Sequence, residues 1–346
     1  MYFASFASFA PLREIEFLTS DQHRQTLDIP YINKEKIASL LTMQECISAM
    51  ERMFRSLAKG ESAQPLRSFM WLPGRRGLLG MMPGYNQTAG VMGTKLISVF
   101  HGNKDKGYPS HQGVVVLFDA NNGQPLMIFD ASEITALRTA AVSALATKLL
   151  SRDDSGSLSI MGSGEQAQRH IESIVLVRDI RQINIWSRNE QNAGSLASKI
   201  SDKYSIPIVA HKNVKEAVKN ADIICTVTSS SQPVLPGDWI NKGTHINAVG
   251  SSTPASRELD TNAVLQSKLY TDCYESILNE AGDFLIPKKE GVITDSHIMG
   301  DLGEVLLGIK KGRENKEEIT LFKSLGIASE DIFSCWHVYQ KINKPA

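Results

Sequence analysis

Leu158-Ser159-Ile160-Met161-Gly162-Ser163-Gly164-Glu165-Gln166-Ala167 decides the fold. A short apolar run ends in Gly-x-Gly-x-x-Ala and helix-forming residues follow, which is the context that a phosphate-binding turn requires. Gly162 permits the tight turn, and Gly164 lets the backbone come close to a pyrophosphate. Ala167 stands where a third glycine would serve only the packing of helix on strand. The N–H groups of the opening helical turn, with the positive end of its dipole, would face a diphosphate. Gly162, Ser163, Gly164, Glu165 and Gln166 are therefore expected to touch a dinucleotide. The turn alone is a weak signal, because glycine-rich turns after strands are common.

Its surroundings strengthen it. Strands predicted at 158–161, 183–187, 207–210, 223–228, 245–249 and 268–271 alternate with helices, notably over 165–177 and 189–204. Short strand–helix units of this kind build a parallel sheet with right-handed crossovers. The predicted fold class is α/β, a Rossmann-type doubly wound parallel sheet joined to an α+β domain upstream. The end of the second strand selects the nucleotide. An NAD site usually places an acid there for the ribose 2′-OH, whereas this chain has Ser187-Arg188-Asn189, and a guanidinium suits a 2′-phosphate. NADP(H) is the preferred cofactor on this reading, with NAD(H) as the alternative.

A polar stretch at 151–156 separates this half from the first. Upstream, a helix is expected over 37–58, then antiparallel strands at 78–82, 93–100, 113–118 and 125–129, with Asn121-Asn122-Gly123 turning between the last two. A helix of about five turns over 130–150 opens with Asp130 and Ser132 as caps. A last helix over 329–342 puts Ile332, Phe333, Trp336, Tyr339 and Ile342 on one face and is expected to return to the first domain. The expected division is thus 1–152, completed by a C-terminal helix within 321–346, and 153–320 for the nucleotide.

Composition narrows the partners. Lys plus Arg and Asp plus Glu both number 37, so no electrostatic case exists for nucleic acid or an anionic membrane surface. Cys46, Cys225, Cys273 and Cys335 form no CxxC pair, which argues for reduced thiols and a cytoplasmic place rather than disulfides or structural zinc. The first positive charge is Arg13, so residues 1–11 lack the basic start of a signal peptide. No apolar stretch approaches the length of a membrane span. The histidines take no HxH or HxxxH spacing, and no metal is expected.

From about 65 to 328 the chain resembles the ornithine cyclodeaminase and mu-crystallin family. The resemblance lies in Gln64-Pro65-Leu66-Arg67, Met81-Met82-Pro83, Thr94-Lys95-Leu96, Pro109-Ser110-His111-Gln112, Ile134-Thr135-Ala136-Leu137-Arg138-Thr139-Ala140-Ala141, the glycine turn, His245-Ile246-Asn247-Ala248-Val249-Gly250 and Leu321-Phe322-Lys323-Ser324-Leu325-Gly326. It implies a first domain that binds substrate and forms a homodimer by closing a β-barrel between subunits. It implies that Arg67, Lys95 and Arg138 hold a substrate carboxylate, a role for which an arginine's planar fork is well suited. Spacing alone puts Thr135, Arg138 and Thr139 on one helix face. Cofactor contacts implied by the resemblance are Ser110, His111, Thr135, the turn residues, Ser187, Arg188, Asn189, Thr226, Val227, Thr228, Val249 and Lys323. His111 is either a proton donor or a structural histidine.

One departure bears on the reaction. Family members that cyclise ornithine carry an aspartate two residues after the glycine that ends the fifth strand, and here Ser252 follows Gly250 at that distance. Together with Arg188 this points to the imine-reductase branch: an NADP(H)-dependent reductase of cyclic imino acids, or an amino-acid dehydrogenase in reverse. The alternatives are ornithine cyclodeaminase itself, and a nucleotide-regulated binding protein of the mu-crystallin kind. The presence of all three cations favours an enzyme.

Overall fold

Residues that alternate between buried and exposed make the first sheet of this computed structural model, which describes residues 28–100, 102–103 and 107–343. The reading of residues 1–11 lies outside the described residues. The chain opens with β1 (Tyr31–Ile32), α1 (Lys34–Leu40) and α2 (Met43–Ala58), then β2 (Ser62–Ala63) and β3 (Ser68–Trp71). β4 (Leu78–Asn86), β5 (Val91–Val99), β6 (His111–Asp119) and β7 (Pro125–Asp130) follow as an antiparallel meander. β1 adds to β7 in parallel, and β2 and β3 pair with β4.

The single helix expected over 37–58 is two. Thr42 interrupts it as an N-cap: its hydroxyl accepts from the Glu45 N–H while Glu45 bonds back to the Thr42 N–H. That reciprocal pair satisfies donors that a continuous helix would have used internally, and the Thr-x-x-Glu spacing was present in the sequence.

α3 (Ala131–Leu150) has Asp130 as its N-cap, accepting from the N–H groups of Ser132 and Glu133. The sequence predicts one apolar face, but the helix is buried nearly all round, because it runs between the two sheets and presents small residues such as Ala140, Ala141 and Ala144 to both. A helix that is apolar on every side is a core helix.

Beyond α3 the strands are β8 (Ser157–Met161), β9 (Gln182–Trp186), β10 (Ile208–His211), β11 (Ile223–Thr226), β12 (His245–Ala248), β13 (Ser267–Thr271), β14 (Ile298–Asp301) and β15 (Ile319–Lys323). They form one parallel sheet in the order β10-β9-β8-β11-β12-β15-β13-β14. Strands such as 158–161 and 223–225 are buried on both faces, as parallel strands must be, and the one polar residue among them, Ser159, donates to the Ala217 carbonyl. The helices between them are α4 (Glu165–Ile174), α5 (Glu190–Ser201), α6 (Val214–Val218), α7 (Thr261–Leu265), α8 (Tyr274–Glu280), α9 (Gly282–Lys289) and α10 (Leu302–Leu306). The chain reverses its strand order between β8 and β11, which opens a crevice at their carboxyl ends.

Two strands of this sheet escaped the sequence reading, as did the short β1, β2 and β3 of the first. β14 is short and interrupted by glycine, and β15 hides in Leu321-Phe322-Lys323, so the segment starting at 321 belongs first to the parallel sheet. Only from Ala328 does the last helix, α11 (Ala328–Ile342), turn back onto the first sheet. There Gly84 and Gly93 let it come close: a Cβ on Gly84 would lie 2.9 Å from Ile332 Cδ1. Ile332 is 1% exposed, a burial that contributes ~1.5–3 kcal/mol. The opposite face of this sheet leaves Met81, Tyr85 and Met92 more than a third exposed, and β3 adds the exposed Met70 to it, while Phe69 and Trp71, paired with Gly80 and Leu78, project from the other face. Among the described residues no helix is long and apolar enough to cross a membrane.

Candidate active site

The crevice is built from strand ends. Gly162, directly after β8, has φ +134°, and a Cβ there would sit 2.8 Å from the Val227 carbonyl oxygen. Only glycine meets both conditions. Gly164 is the N-cap of α4 and supplies no side-chain cap, so the first turn's N–H groups are left for a ligand. Across the turn Ser163 donates to Ser187 at the end of β9, 2.9 Å away. Arg188 is exposed at that end and Asn189 caps α5. Gln166 Oε1, Thr135 Oγ1 and Thr226 Oγ1 are buried without a hydrogen-bond partner. A glycine cradle, an uncapped helix start and unsatisfied polar atoms fit a dinucleotide.

Two cavities meet there. One of about 440 Å³ is bordered by Gly164, Val227, Thr228, Val249, Ser252 and Arg138. The other, of about 530 Å³, runs past Ser110 and Thr135 toward Tyr108. His111, Glu165 and Gln166 border both, and Ser110 Oγ lies 3.0 Å from His111 Nδ1. Most of the expected cofactor contacts are thus assembled around one space. Thr226 lies beneath it, fully buried. Lys323 does not reach it: its ammonium is buried against Asp283, 2.9 Å away, and bonds to the Ser251 carbonyl, so Ser324, Leu325 and Gly326 take its place on the wall.

The three cations converge around Gly326. Arg138 lies against it so closely that any side chain there would strike the guanidinium. Arg67 Nη2 donates to the carbonyls of Leu325 and Gly326 at 2.8 and 3.0 Å. Only Arg138 borders the large cavity; Arg67 occupies a narrow slot that shares Gly326 with it, and Lys95 is buried behind. Sequence reasoning missed the acids that hold them. Glu280 takes Arg67 at 2.9–3.0 Å, Asp331 joins Lys95 at 2.8 Å to Arg138 at 3.0 Å, and Glu330 takes Arg138 Nη1 at 2.5 Å. Asp272 accepts from the N–H groups of Leu325 and Gly326, fixing the wall itself. Glu330 and Asp331 fall in the first turn of α11, where acids ordinarily answer the helix dipole, and that concealed their role.

Burial governs the charges. It pushes Lys95 down to about 8, against the pull of Asp331, and pushes Glu330 up to about 8 despite Arg138. Burial also works to raise Asp331, but Arg138 and Lys95 overcome it and hold that carboxyl below its ordinary value. A second missed acid, Glu258, is fully buried and accepts from the Thr228 N–H and hydroxyl and from the Gly250 N–H, at 2.6–2.7 Å. It ties together the loops after β11 and β12 that flank the cavity. Among the described residues no cluster of side chains could hold a metal ion.

The chain is 39% identical over 296 residues to the ketimine reductase mu-crystallin of Mus musculus, covering 85% of this chain and 90% of that protein. It is 35% identical over 311 residues to a Δ1-pyrroline-2-carboxylate reductase of Bacillus thuringiensis, covering 90% and 95%. The solved Δ1-pyrroline-2-carboxylate reductase of Thermococcus litoralis, in complex with NADH and L-proline, superposes with a TM-score of 0.88 at 39% identity, covering 90% of this chain and 97% of that one. Residues 31–345 match the family's sequence profile, and the chain belongs to the ornithine cyclodeaminase/mu-crystallin family.

Proposed function

We propose that this chain reduces cyclic imino acids with NADPH, in the manner of a ketimine or pyrroline-2-carboxylate reductase. Its relatives carry those names, and the chain is a nicotinamide-dependent oxidoreductase acting on C=N or CH–NH bonds. The observation that carries the reading is a carboxylate-binding guanidinium, Arg138, on the wall of the same cavity that the phosphate-binding turn opens into. Of the three cations expected to hold the substrate carboxylate, we assign the direct contact to Arg138, which borders the cavity, with Arg67 and Lys95 adding positive charge behind it; this fixes the imine carbon in a near-attack position. The bound nicotinamide supplies the hydride. The imine enters protonated, so its carbon is already electrophilic; the residues of the chain orient it and exclude water.

Arg188 supports NADP(H) over NAD(H), and the NADH of the Thermococcus relative makes NADH the competitor to measure. Ser252, at the cavity wall, offers no carboxylate to a distal amine, which disfavours cyclisation of ornithine. We also assign 1–152 and α11 to substrate binding and homodimer formation, 153–327 to the nucleotide, the boundary moving beyond the expected 320 because β15 pairs in the parallel sheet, and the protein to the cytoplasm, where its four free cysteines stay reduced. Incubation with ornithine and NAD tests the reaction class: little ammonia is expected, and proline formed as fast as any imine is reduced would make the enzyme a cyclodeaminase.

A further inference from the structure

The cations of the clamp are outnumbered before any substrate arrives. Arg67, Lys95 and Arg138 face the carboxylates of Asp272, Glu280, Glu330 and Asp331, all within one buried cluster. Glu330 is the least compensated. It is fully buried, Oε2 meets Arg138 alone, and Oε1 has no hydrogen-bond partner. Asp331, by contrast, holds two cations. The other groups facing Glu330 are Asp272 and Asp331, which repel its charge, and the buried thiol of Cys46 on α2.

We infer that Glu330 takes up a proton when the substrate's carboxylate lands on Arg138, so that Glu330 sets how substrate affinity depends on pH. The inference rests on Arg138 being a substrate ligand. A carboxylate arriving at Arg138 draws on the one cation that Glu330 has and adds a negative charge nearby, and both effects favour neutral Glu330. The sign follows from where Glu330 already stands. With its carboxyl at about 8, it holds its proton well below that pH, and binding there needs no uptake. Above it, Glu330 is ionised and must be protonated for the substrate to bind, so affinity falls as pH rises. Lys95, pushed down to about 8, is the rival acceptor, yet its ammonium keeps Asp331 against it when Arg138 turns to the substrate, whereas Glu330 has Arg138 alone.

The test is calorimetric titration of the full chain, loaded with NADP+, with pyrrole-2-carboxylate, a planar analogue with no C=N bond to reduce. Two buffers of different ionisation heat report the protons exchanged. The expected result is an uptake approaching about one proton per site at pH 9 and close to none at pH 6.5. In Glu330→Gln the uptake disappears, and affinity at pH 9 rises about tenfold toward its value at pH 6.5. Uptake that persists in Glu330→Gln assigns the proton to Lys95 and overturns the inference while leaving the clamp in place. Absence of uptake by the unaltered protein at pH 9 overturns it without any variant, as does an infrared difference spectrum showing no new protonated carboxyl on binding. Unchanged affinity in Arg138→Lys removes the clamp, and the inference falls with it.

Discussion

Arg138 binds two acids inside the protein and is proposed to bind a third on the substrate, and this double duty decides how it can be tested. Truncating it to alanine would leave Glu330 and Asp331 buried without their cation, a loss of roughly 3–5 kcal/mol that threatens the fold itself. Arg138→Gln keeps hydrogen-bond donors for them. It should lower kcat/KM for a cyclic imine about 100-fold, the equivalent of ~3 kcal/mol, while NADPH affinity changes little; kinetics near those of the parent would make Arg138 purely structural. Arg188 tests a different contact. It is exposed and free to meet a 2′-phosphate, so NADPH should bind at least about tenfold more tightly than NADH, and Arg188→Asp should reverse the order. Equal affinities by fluorescence titration would take Arg188 out of the site. Both arginines were candidates from the sequence, Arg188 because it stands where a nucleotide site usually has an acid and Arg138 through the family resemblance, and the structure puts Arg138 on the cavity wall. Glu258, Glu280, Glu330 and Asp331 were not, since an acid becomes informative only once its burial and its partner, dozens to hundreds of residues away, are known.

Elements were legible where local chemistry and tertiary packing agree. The β8–turn–α4 unit appears as the sequence had it, because the glycines, the apolar strand and the helix start each require the same backbone. Gly162→Ala should therefore weaken nucleotide binding about tenfold or more with little change in secondary structure, since the new Cβ meets the Val227 carbonyl and the φ of +134° is strained for alanine. Retained affinity in equilibrium dialysis would show that the turn does not cradle the phosphates. Elements were illegible where context overrides pattern. α3 shows a one-sided apolar pattern in the sequence yet is buried on all sides, because a second sheet covers its other face. β15 is a five-residue strand, Ile-Thr-Leu-Phe-Lys, whose end the sequence reading placed in the segment of the C-terminal helix; pairing with β12 and β13 puts it in the parallel sheet. The break at Thr42 is a capping box that the sequence reading passed over, because apolar periodicity runs on both sides of it.

For the whole molecule the open question is what covers the outer face of the antiparallel sheet. Met81, Tyr85 and Met92 lie on adjacent strands with Met70 of β3 on the same face, an exposed apolar cluster of the kind that marks an association surface. A homodimer through this face is the expected state, measurable by sedimentation velocity. Tyr85→Glu should yield monomers, and a variant that stays dimeric would place the interface elsewhere. On the proposed function, catalysis depends on nucleotide turn, cation cluster and cavity acting together, and one assay interrogates all three. Purified protein is mixed with NADPH and either Δ1-pyrroline-2-carboxylate or Δ1-piperideine-2-carboxylate, and loss of reduced-nucleotide absorbance is compared with formation of the cyclic amino acid. The expected result is one NADPH consumed per cyclic amino acid formed, with kcat/KM in the range usual for enzymes, about 10⁴ M⁻¹s⁻¹ or more. No NADPH or NADH oxidation with either imine, in protein shown to bind the nucleotide, would contradict the assignment of this chain as a cyclic imino acid reductase.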